Sequence, residues 1–141
     1  MTETGADITG GCLCGAVRFR STAAPTATRY CWCRDCQHFA AGGATVNVIF
    51  PSAAVIIDGA PKVYDSVADS GNRMRRSFCS SCGSPLFSQA EARPQVLIVR
   101  AGALDDPDIA KPSAAIWVSS APRWACIDPD LEHFPAQPPP A

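Results

Sequence analysis

Cys79-Ser80-Ser81-Cys82-Gly83-Ser84-Pro85 has the form of a metal-binding knuckle, and the fold follows from what completes it. Tetrahedral zinc with Zn–S bonds of about 2.3 Å needs sulfurs roughly 3.8 Å apart, and two cysteines separated by two residues meet that demand on a tight turn. Gly83 permits the turn and leaves amides free to hydrogen-bond the sulfurs, while Pro85 stiffens the exit. The knuckle supplies only half a ligand set. Gly10-Gly11-Cys12-Leu13-Cys14-Gly15 supplies the other half, its glycines letting the backbone bend until both thiolates face one point. Cys12, Cys14, Cys79 and Cys82 together make the four ligands of a closed structural zinc site. Such a site ties the N-terminal strand to the middle of the chain. Structural zinc contributes on the order of 10 kcal/mol of apparent folding free energy, comparable to the whole stability of a small domain.

A third cluster, Cys31-Trp32-Cys33-Arg34-Asp35-Cys36, is one ligand short. Three thiolates from a single short stretch leave a tetrahedral ion open to water, an external thiol or a substrate oxygen, and an open position is the mark of a catalytic zinc. Cys36 at the start of a helical turn has its thiolate favoured by the helix dipole, with Arg34 close enough to help. Two other readings of the trio stand beside this one. It is a second structural site if Asp35, His38 or Cys126 closes it, and a redox trio if it holds no metal.

Composition narrows the setting. A chain of 141 residues has the size of one domain. A net charge of -1 gives no electrostatic case for nucleic acid or for an anionic membrane surface. No apolar run approaches a membrane span. Met1 to Gly10 is polar and acidic, without the basic and apolar regions of a secretory leader, so the expected setting is the reducing cytoplasm. There, eight cysteines favour metal or redox chemistry over four disulfides. A Cys-x-Cys pair closed on itself would also be a strained small ring.

Between the cysteines the chain reads as short β segments broken by Pro and Gly. Leu13 to Arg20 alternates, with Val17 and Phe19 on one side and Arg18 and Arg20 on the other. Further strands are predicted over Thr26–Cys31, Ala44–Phe50, Ala54–Ile57, from Lys62 to Tyr64, Asn72–Phe78, Gln95–Ala101 and Ala114–Ser119. Helix is scarce: two turns over Arg34–Ala40, stopped by Gly42-Gly43, and one over Asp105–Ala110. The expected fold is mainly β, antiparallel, with loops carrying the cysteines. It occupies residues 1–135, and 136–141 is expected to be a Pro-rich disordered tail.

The cysteine motifs and their neighbours carry a family resemblance. Gly11-Cys12-Leu13-Cys14-Gly15-Ala16-Val17-Arg18-Phe19, Cys31-Trp32-Cys33-Arg34-Asp35-Cys36-Gln37 and Phe78-Cys79-Ser80-Ser81-Cys82-Gly83-Ser84-Pro85-Leu86 resemble the signatures of the glutathione-dependent formaldehyde-activating enzyme family, which also contains centromere protein V. The likeness runs on through Ile116-Trp117 and Trp124 to Phe134-Pro135. It implies a β-tent of antiparallel sheets tied by a structural zinc at Cys12, Cys14, Cys79 and Cys82, and an exchangeable zinc at Cys31, Cys33 and Cys36. It also implies a carbon–sulfur lyase-like activity on a glutathione or small-thiol adduct of an aldehyde, S-hydroxymethylglutathione being the family's named case. The alternative is a zinc-stabilised module that binds glutathione or another ligand without catalysis. Two positions depart from the family's usual pattern. Trp32 stands where His is common inside the trio, and Ala115 where His is common before the Ile-Trp pair.

The remaining candidates rank below the clusters. Arg34 is the anion-binding candidate because it lies within the trio. Arg73, Arg75 and Arg76 read as solvated strand charges rather than ligands for glutathione carboxylates. Trp117 and Trp124 read as core aromatics. His38 and His133 read as surface histidines, and Cys126 as a spare thiol. Substrate and oligomeric state are not legible.

Overall fold

The computed structural model describes residues 7–139, so most of the polar N-terminus and the last two residues of the Pro-rich segment lie outside the described residues. Among the described residues, eleven strands form two sheets. The smaller sheet is antiparallel, in the order β1 (Ile8–Gly11), β2 (Arg18–Ser21) and β5 (Val55–Asp58). The larger has eight strands, and its middle is β3 (Ala27–Cys31), β4 (Thr45–Pro51), β9 (Val96–Arg100), β8 (Pro85–Ala90) and β7 (Arg73–Phe78) in that order. β6 (Lys62–Val67) forms one edge, and β10 (Ala114–Ile116) followed by β11 (Glu132–His133) the other. One short helix, α1 (Arg34–Phe39), follows β3, and four single 3-10 turns complete the regular structure of the described residues. No helix among the described residues is long and apolar enough to cross a membrane.

Register decides what each face of the larger sheet carries. Phe87, Val99 and Val48 lie opposite one another on β8, β9 and β4 and share one face. That face packs on Val17 and Phe19 beside the small sheet; Phe50, Leu86 and Val99 are fully buried there, and the Phe19 and Phe87 rings meet edge to face at 5.5 Å. Side chains alternate along a strand, so the partners one residue on face the other way. Arg76 opposite Ser88, Ser88 opposite Ile98, and Arg100 opposite Asn47 make up this second face. Cys31 joins it, two residues beyond Arg29, which is opposite Asn47. One side of the sheet is therefore core, and the other carries polar groups and the cysteine trio.

Most predicted segments are strands within a residue or two, and three differences have local causes. The strand expected from Leu13 starts only at Arg18, because Leu13 to Val17 curl to bring Cys12 and Cys14 together; Leu13 itself is 90% exposed. β10 pairs parallel with β3 and with β11, so the sheet is mixed at that edge rather than wholly antiparallel. β1, β8 and β11 are additional, recruited by pairing rather than by propensity. Gly10 in β1 packs so closely that a Cβ would fall 2.1 Å from the Ala103 carbonyl oxygen and 2.5 Å from the Phe19 ring. Only glycine fits there.

Candidate metal centres

The four outer cysteines converge. Cys12 and Cys14 follow β1 of the small sheet, and Cys79 and Cys82 follow β7 of the large one, so their cluster bridges the sheets. Sγ–Sγ separations of 3.7 Å from Cys14 to both Cys12 and Cys79 match the edge of a zinc–thiolate tetrahedron, about 3.8 Å. The donor set fits a metal ion. Around it the polypeptide aims donors at sulfur: the Val17 amide reaches Cys12 Sγ at 3.3 Å and the Ser81 amide reaches Cys79 Sγ at 3.4 Å. Ser84 joins the two halves, its hydroxyl accepting from the Leu13 amide at 3.1 Å and donating to Cys82 Sγ at 3.2 Å. The Ser84 hydroxyl and amide hold the Cys82 thiol down to about 5, and the Val17 amide lowers Cys12. Gly83, at φ 79°, provides the left-handed turn that closes the knuckle.

The trio is built differently. Cys31 ends β3, Cys33 is the N-cap of α1 with its sulfur accepting from the Cys36 amide at 3.3 Å, and Cys36 lies in the first turn. All three are buried, with sulfurs within 4.8 Å of one another. The loop is held from below: the Gln37 side-chain amide donates to the Trp32 carbonyl at 2.7 Å and to the Ser120 carbonyl at 3.0 Å. Ile116, Trp117 and Phe134 pack against the sulfurs. Without a metal the three thiols share their protons unequally. Hydrogen bonds from Cys31 and Cys33, with the Arg100 charge nearby, pull Cys36 down to about 2. Cys33 is favoured as thiolate by Cys31 but opposed by Cys36 and burial, and rises to about 11; Cys31 is pushed well above the thiol range by both neighbours.

No fourth protein ligand completes the trio among the described residues. Asp35 turns toward Arg76, at 3.7 Å, while His38 and Cys126 are exposed. The sulfurs instead line a cavity of about 370 Å³ over the second face of the large sheet. Its cations are Arg76, Arg93 and Arg100. Arg34, expected in that role, is exposed, and its guanidinium donates to Gln37 Oε1 at 2.6 Å. Arg76, read as a solvated strand charge, is 5% exposed, whereas Arg73 and Arg75 do face solvent. Trp117 is half-buried at the cavity wall, and Trp124, read as core, is 70% exposed.

Sequence reasoning missed four residues of this wall. Arg100 and Asn47 are buried and joined by a hydrogen bond of 2.5 Å; a lone arginine closing the most apolar strand was the available signal. Gln137 belongs to the segment expected as a free tail. Over the described residues that segment turns back on the site: Gln137 Oε1 accepts from Trp117 Nε1 at 3.1 Å, and the buried Pro138 lines the cavity. The Ser119 hydroxyl and amide both reach the Pro135 carbonyl and fix the preceding turn.

Known proteins resemble this chain to different depths. The fold is similar to the crystal structure of a Rhodobacter sphaeroides protein, with a TM-score of 0.59 at 20% identity over 74% of this chain and 96% of that one. A curated Halomonas elongata protein named "Putative glutathione-dependent formaldehyde-activating enzyme" is 29% identical over 126 residues, covering 84% of this chain and 80% of that protein. The family model described as glutathione-dependent formaldehyde-activating enzyme matches residues 7–120, a span that takes in both cysteine clusters. With most of its length matched, the chain belongs to the glutathione-dependent formaldehyde-activating enzyme family.

Proposed function

We propose that the chain is a zinc-dependent carbon–sulfur lyase-like enzyme of the cytoplasm, acting on a glutathione or small-thiol adduct of an aldehyde. One zinc, at Cys12, Cys14, Cys79 and Cys82, is structural, and one, at Cys31, Cys33 and Cys36, is exchangeable. The observation that carries the reading is the contrast between the centres: four converging sulfurs in one, three buried sulfurs facing a cavity in the other. A zinc ion held by the trio supplies Lewis-acid chemistry, lowering the pKa of a thiol at its open position. The chain does the rest. Ile116, Trp117 and Phe134 keep the sulfurs dry, and Gln37 fixes the loop that presents them. In the synthetic direction the thiol loses its proton, sulfur forms a bond to the carbonyl carbon, and the carbonyl π pair becomes the lone pair of an oxygen that takes up a proton.

A second reading, a module that binds glutathione without turnover, is favoured by one observation. The trio and its cavity contain no imidazole: Trp32 and Ala115 are buried, and His38 and His133 are exposed. Exchange NMR on formaldehyde and glutathione separates the two. Zinc-loaded protein is expected to speed formation of S-hydroxymethylglutathione, and Cys33→Ser to abolish the gain while staying folded. Glutathione binding with no gain in rate contradicts catalysis and leaves the module.

A further inference from the structure

Two arginines are buried beside the trio, and burying a guanidinium is costly unless its donors find partners. Arg76 and Arg100 are 5% and 7% exposed, with their guanidinium carbons 5.1 and 6.0 Å from the centre of the Phe39 ring. Each has five N–H donors. Arg100 donates to Asn47 Oδ1. Arg76 donates to Ser66 Oγ at 2.7 Å, its other terminal nitrogen stands 3.7 Å from the Asp35 carboxylate, and its Nε has no partner. Buried polar groups in folded proteins are nearly always paired; the Nε is itself enclosed, whereas the terminal nitrogen near Asp35 stands beyond hydrogen-bond distance of it and leaves donors for an acceptor that the chain does not itself provide.

Charge points the same way. Three arginines against Asp69 leave the cavity lining with two positive charges apart from the cysteines. Three thiolates and one divalent ion carry a single negative charge, so one positive charge remains in the lining itself, faced from outside it by the Asp35 carboxylate 3.7 Å from Arg76. Compensation of the thiolates accounts for Arg100, whose charge bears on Cys36. Arg76 is held instead by Ser66, Asp35 and Phe39, and its register opposite Ser88 sets it on the sheet face that also carries Cys31.

We propose that Arg76, supported by Arg100, is a specificity-determining residue that binds a carboxylate of the thiol substrate in the cavity beside Cys31, Cys33 and Cys36, a role that presupposes the thiol chemistry proposed above. The guanidinium edge offers a carboxylate charge-assisted hydrogen bonds in a site shielded from water. Isothermal titration of the zinc-loaded protein compares glutathione with its diethyl ester, which keeps the thiol and loses both carboxylate charges. Glutathione is expected to bind about tenfold more tightly. Arg76→Met is expected to bring the two within about twofold and to leave the ester's affinity unchanged. On wild-type protein, which needs no folded variant, propionate is expected to compete with glutathione and not with the ester. Equal binding of both ligands, or a preference that survives in Arg76→Met, overturns the subsite and leaves the thiol reading intact. Failure of both ligands to bind removes the thiol reading and the subsite with it.

Discussion

Cys31, Cys33 and Cys36 share one environment yet hold their protons differently. Cys36 is a thiolate near neutral pH, whereas Cys31 and Cys33 are thiols with raised pKa values. Zinc needs all three deprotonated. Uptake by the trio at pH 7.5 should therefore release about two protons, from Cys31 and Cys33. Groups whose pKa is raised resist deprotonation more as pH falls, so affinity should drop about a hundredfold per pH unit below neutrality. Titration calorimetry in buffers of different ionisation enthalpy counts these protons, and release of three or of none contradicts the assignment. At this scale the two cysteine clusters were legible and their surroundings were not. Cysteine spacing is a local signal that the chain writes in full. Arg100, Asn47 and Arg76 reach the trio only through pairing of β4, β7, β8 and β9, which no window of sequence contains. Arg34 misled for the same reason: it is near the cysteines in sequence but bonds to Gln37 in space.

Strands with alternating or apolar residues were legible, and strands that exist by recruitment were not. β1 contains two glycines and β8 opens on a proline, so neither shows a β preference of its own; each is held by its neighbours. The C-terminal segment shows the same limit, since proline-rich composition predicts no structure, while Trp117 and the cavity give Gln137 and Pro138 a place. Removal of residues 136–141 should uncover the trio without touching a ligand. Zinc leaving the trio for a chromogenic chelator is expected to do so several-fold faster in the truncated chain. An unchanged release rate would show that the segment does not shield the site.

At the scale of the molecule, the described residues form two sheets with a shared core, and four converging sulfurs lie between them. Two of them, Cys12 and Cys79, are members of that core, so the candidate metal centre is built into the fold. A structural zinc contributes on the order of 10 kcal/mol, against a typical total of about 5–15 kcal/mol. Cys79→Ser is therefore expected to lose cooperative thermal unfolding and near-ultraviolet dichroism, and Cys33→Ser to retain both. Equal damage from the two substitutions would contradict the division of labour between the centres. That division is the central claim, and a crystal structure of the zinc-loaded protein grown with glutathione tests it most directly. The account predicts one ion closed by Cys12, Cys14, Cys79 and Cys82, and a second on Cys31, Cys33 and Cys36 whose fourth ligand is the glutathione sulfur. A second ion closed by a protein side chain, or no ion at the trio, would contradict it.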